Sequence, residues 1–152
     1  MDLKSLEQER AEFAYEKISE VKNESSDVQK RYSSYVRSAP VLILTNGLGQ
    51  ALAFYLSRLE NLEDVDYHLI SNRLLSTEGK GFKKAEERAY AYLYKHIAEW
   101  LARNLTKGED PLRYYMKSNG IEAMILTDEA IALLNWLKRF AEAMLEKEEN
   151  GE

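Results

Sequence analysis

The sequence predicts an all-α fold, a compact single-domain bundle of about six helices over residues 1–152, and three observations carry that reading. Ala and Leu together supply 36 residues against 16 for Val, Ile and Thr, which favours helix over strand. Gly and Pro number 7 and 2, too few for the tight turns of a sandwich or barrel. Apolar residues recur at helical spacing along most of the chain. A chain of 152 residues buries roughly 70% of its unfolded surface, so it needs no disulfide or structural metal, in keeping with its lack of Cys.

Each element has a local reason. From Leu3 to Val21, residues Leu3, Leu6, Ala11, Ala14, Ile18 and Val21 share one side and Glu and Lys fill the other. Asp27 is expected to cap a second helix carrying Val28, Tyr32, Tyr35, Val36 and Ala39, which Pro40 should close because it pushes Ala39 out of the α region. Pro40 would open a short helix to Leu44, stopped by Asn46 and Gly47, with another helix from near Gly49 to about Leu62. The stretch from Leu59 to Gly81 is acidic, with a short helix over His68 to Leu75 and a loop over Ser76 to Gly81. A long helix follows from Phe82 to Leu105, with Ala85, Ala89, Tyr92, Leu93, His96, Ile97, Trp100 and Leu101 inward, ended by Lys107 and Gly108. Pro111 opens a segment to Met116, and a short helix is expected after Asn119 and Gly120. Thr127 should cap the last helix, whose stripe runs from Ala130 through Leu145, and the acidic tail beyond should fray.

The same inventory excludes several chemistries. There is no Cys for a zinc module, disulfide scaffold or thiol nucleophile, and no apolar run approaches the roughly 18 residues of a membrane span. No basic-then-apolar leader precedes the first helix, and the expected location is cytoplasmic. Thr45 to Gly49 looks like a phosphate-binding glycine turn, but Leu52 occupies the position that needs a small residue and no parallel strand accompanies it. His68 and His96 form no metal motif, and His96 reads as a core histidine with satisfied ring nitrogens. No cofactor or metal is expected.

Charge is segregated. From Val28 to Leu59 there is no Asp or Glu, while Lys30, Arg31, Arg37 and Arg58 give +4 in a chain of net charge -5. Lys30 and Arg37 lie seven residues apart, with Ser33 and Ser34 beside them and Arg31 on the flank, a cationic and hydroxyl-bearing face suited to phosphate backbones. Lys138 and Arg139 form a smaller cluster of the same kind, as do Lys83 and Lys84. The bland alternative is a solvated face that balances acidic neighbours. Tyr32, Tyr35 and Tyr92 fit inward stripes, whereas Tyr90 and Tyr94 read as partner-contact residues.

The run from Ser38 through Phe54, with Pro40, Asn46, Gly47 and Gly49 at its centre, resembles the signature of the small helical subunit of the Cmr complex, the type III-B CRISPR effector. Gln8, Arg10 and Ala11 resemble that family's N-terminal pattern, and Thr127, Glu129, Ala130, Leu133, Leu134, Trp136, Leu137, Lys138, Arg139, Phe140 and Ala141 its C-terminal one. The resemblance implies a non-enzymatic subunit that stacks in several copies, contacts other Cmr subunits and helps hold a crRNA-paired target RNA, with no membrane association. The family has no catalytic residues to carry over, so RNA contact is expected at Lys30, Arg31, Arg37, Lys138 and Arg139 from charge alone. Acids near the ends, Glu7, Glu9, Glu12, Glu16, Glu20 and Glu24, then Glu146, Glu148 and Glu149, would face basic neighbours. The rivals are a helical adaptor that touches only proteins and a carboxylate-metal bundle.

Overall fold

Ser5 starts the first helix by a reciprocal cap, its hydroxyl accepting the Gln8 N–H while the Gln8 side chain accepts the Ser5 N–H. That helix, α1 (Leu6–Lys22), buries Phe13, Ala14, Ile18 and Val21. The computed structural model describes residues 3–76, 79 and 81–148; Thr77, Glu78 and Lys80 of the expected loop, and Glu149, lie outside them.

The second helix departs from expectation at both ends. α2 (Ser26–Asn46) is capped by Ser25, whose hydroxyl accepts the Val28 N–H, and it runs unbroken through Pro40. Asp27 instead sits in the first turn, where its charge favours the helix N-terminus. An interior proline costs about 3 kcal/mol or more. Val28, Tyr32, Val36, Ala39 and Ile43 nevertheless form one buried stripe across Pro40, packed against other helices, and that burial outweighs the local cost. Gly47 (φ 89°) then reverses the chain into α3 (Leu48–Ser57), which stops short of Leu62. Gly49 touches the neighbouring chain segment: a Cβ there would lie 2.5 Å from Cε1 of Tyr115.

α4 (Tyr67–Leu75) begins behind Asp66. α5 (Ala85–Leu101) is buried around nearly its whole circumference from Ala89 to Ala98, and the other helices wrap it. It continues into a π turn, Ala102–Thr106, that ends at Lys107 (φ 53°) and Gly108 (φ 89°). α6 (Pro111–Met116) is capped by Asp110. α7 (Gly120–Met144) is one helix where two were expected. Asn119 and Glu122 form its capping box, and Thr127 lies in its interior, donating to the Ala123 carbonyl at 2.8 Å. The upstream cap wins because no helix breaker separates it from the later stripe. The described residues thus hold seven α-helices and no strand.

Side-chain pairs fix the layout. Glu20 with His96, Lys17 with Glu99 and Phe13 with Trp100 run α1 antiparallel to α5. Arg10 with Glu129 and Tyr15 with Phe140 run α1 parallel to α7. Ser26 and Gln29 bond Glu146 just beyond α7, so α2 runs antiparallel to α7. One hydrophobic cluster draws on every helix. Tyr90 and Tyr94, expected at a partner surface, are buried: Tyr35 stacks on Tyr90 at 3.9 Å, and the Tyr94 hydroxyl donates to Asp110 at 2.8 Å. No helix among the described residues is long and apolar enough to cross a membrane.

Candidate functional site

The expected cationic residues separate into two sets once α2 and α7 are paired. Ser26 donates to the Glu146 carboxylate at 2.7 Å and Ser33 to the Glu146 carbonyl at 3.4 Å, so these two mark the side of α2 turned towards α7. Lys30 follows Ser26 by one helical turn and Arg37 follows Ser33 likewise, which sets both cations along that border. On α7, Trp136 and Phe140 face α1 through Glu7 and Tyr15. Lys138 lies two residues from each, about 200° round the helix, on the flank that borders α2. Lys30, Arg37 and Lys138 therefore line one seam, and none of them has an ion pair among the described residues.

Arg31 and Arg139 do not join them. The Arg31 guanidinium is raised above its ordinary value by its hydrogen bond with Tyr35 and by Asp27, whose carboxylate its Nε reaches at 3.2 Å. Arg139 stands on the outer face of α7, paired with Glu142 at 3.4 Å. Arg58 is likewise taken up by Glu86 at 3.2 Å and Lys84 by Glu60 at 2.9 Å. Ser33, expected to offer its hydroxyl on the cationic face, is buried against the start of the tail. Glu146 itself, expected in a frayed tail, is held by three α2 side chains and sets a carboxylate at the end of the seam.

The acidic ends are also less free than their sequence implied. Glu24 binds Arg88 at 2.5 Å and accepts the Tyr92 hydroxyl. Glu20 closes a buried network: burial alone would raise its carboxyl, but the His96 hydrogen bond and the charges of Lys95 and Lys17 hold it at about 2. His96 is fully enclosed, and burial lowers it to about 4. The ring is neutral near pH 7, so the Tyr32 hydroxyl donates to Nδ1 at 2.7 Å and Nε2–H donates to Glu20 at 3.2 Å. The pairing of histidine with carboxylate has no route to a substrate because nothing of His96 reaches solvent. Charge pattern gave no hint of an apolar stripe at Ile121, Met124 and Ile125, which the structure leaves exposed; the available signal was its phase, opposite to the core stripe of Leu126, Ala130 and Leu133.

Comparison with known proteins adds two findings. Residues 6–144 match a family model described as CRISPR-associated protein (Cas_Cmr5). The fold matches the X-ray crystal structure of a CRISPR-associated Cmr5 family protein from Thermus thermophilus, with a TM-score of 0.66 and 26% sequence identity, covering 94% of this chain and 100% of that one.

Proposed function

Because this chain belongs to the Cas_Cmr5 family and so is a subunit of a Cmr complex, we propose that it is a non-catalytic small subunit of a type III-B effector in the cytoplasm. It stacks in several copies and helps hold a crRNA-paired target RNA while other subunits cut it, in antiviral defence. The observation that carries this reading is the seam of Lys30, Arg37 and Lys138, cations without an ion pair among the described residues, gathered on a chain of net charge -5. Contact with a phosphate backbone needs only such charges and carries no sequence information. The aromatic rings of α2 and α5 are spent inside, as Tyr32, Tyr90, Tyr92 and Tyr94 are buried, which favours backbone contact over base stacking. A few weak contacts per copy suffice, since tethering to one assembly multiplies them through effective concentration.

The test is charge reversal in a reconstituted complex. Lys30→Glu, Arg37→Glu and Lys138→Glu together should weaken target-RNA retention by about 10-fold or more while the particle still assembles. Arg139→Glu, which alters a cation already paired on the outer face, should change retention by less than about 2-fold. Unchanged retention in the triple variant would favour the adaptor that touches only proteins.

A further inference from the structure

A second surface stands at the opposite end of the α1–α2–α7 layer from Glu146. Ile121, Met124 and Ile125 are 67%, 58% and 48% exposed, while Leu126 on the same turns is 1% exposed. This is a stripe at helical spacing that none of the described residues covers. Met116, at the end of α6, is 67% exposed immediately before it. Because α1 runs parallel to α7 with Arg10 beside Glu129, Leu6 comes level with Ile125 and Leu3 with the first turn of α7. Both are exposed, at 44% and 86%. The apolar residues thus continue from one helix to the next, which marks an interaction surface rather than scattered exposure.

The charges around it limit what it can meet. Glu7, Glu122 and Asp128 are exposed at its edge, and the cations of this end, Lys4 and Lys117, are already paired with Glu12 and Glu109. A second copy presenting the same patch would set carboxylates against carboxylates. The seam at the other end would offer it charges where it needs apolar surface. We propose that the patch docks the chain onto a different protein subunit of the complex, one whose contact surface has an apolar centre edged by lysine or arginine. The proposal rests on membership of a Cmr complex and is independent of the RNA-contact reading.

The test uses the chain reconstituted with the remaining subunits of its complex. Ile121→Lys with Met124→Lys should lower incorporation on size exclusion at least ~10-fold, with the helicity and Tm of the free chain unchanged. Should the lysine pair fail to fold, Ile121→Ala with Met124→Ala takes its place, with an expected loss of at least ~3-fold. Asp128→Lys should reduce incorporation at low salt, and no effect there would contradict a basic rim on the partner. Incorporation equal to that of the unaltered chain would overturn the proposal, as would a free-chain dimer that the lysine pair dissociates, since the occupant would then be a second copy. The seam reversal should leave incorporation intact, so loss of RNA with assembly preserved and loss of assembly itself report on separate readings.

Discussion

His96 has no exposed surface, yet both its ring nitrogens are engaged, by Tyr32 and by Glu20. Its lowered value of about 4 against an ordinary 6.5 makes folding depend on pH. Between those values the unfolded chain binds a proton that the native ring refuses, so stability is fully present above about pH 6.5 and declines as pH falls towards 4. Glu20, held at about 2 against an ordinary 4.5, adds a second loss below pH 4.5 in the same direction. We expect Tm to fall between about pH 7 and pH 5, with a His96 contribution of up to about 3 kcal/mol across its whole window. His96→Gln should flatten that step in thermal melts, and an unaltered step would place the sensitivity elsewhere. That His96 belongs to the core was legible from its place in the inward stripe. Its partners were not, because the register of α1 against α5 is a tertiary fact.

At the scale of the element, Asp110 joins three helices. Its carboxylate caps α6 through the Leu112 N–H at 2.9 Å, accepts the Tyr67 N–H of α4 at 2.9 Å and accepts the Tyr94 hydroxyl of α5 at 2.8 Å. Burial raises this carboxyl even against those donors. Asp110→Ala strands several buried donors and should cost about 2–4 kcal/mol in urea unfolding, with Asp110→Asn losing less because an amide oxygen can still accept. Pro111 announced a helix start here, but the links to Tyr67 and Tyr94 required the fold. Pro40 and Thr127 misled for a common reason. Each is a sound local signal that a longer buried stripe, or an earlier cap at Asn119, overrides. The stripes of α1, α5 and α7 were legible because apolar residues repeat there over several turns.

For the whole molecule, what matters is where charge is left unpaired. Three phosphate contacts per copy at the seam would contribute a salt slope of about -2 on single-stranded RNA. Retention by the particle should therefore drop with rising salt, and the seam reversal should flatten the log-log plot by about that much per copy; an identical slope would remove these cations from the contact. The five candidate cations were visible in the sequence. Their division into a free trio and two paired outsiders needed the antiparallel setting of α2 on α7. The π turn at Ala102–Thr106 sets the phase of everything that follows it. A wide turn holds a residue of slack, and excising Asn104 would let α5 close at ordinary pitch while rotating every later position about 100°. Asp110 would then swing away from Tyr94, so a related chain one residue shorter at this point must re-anchor its second half by other means.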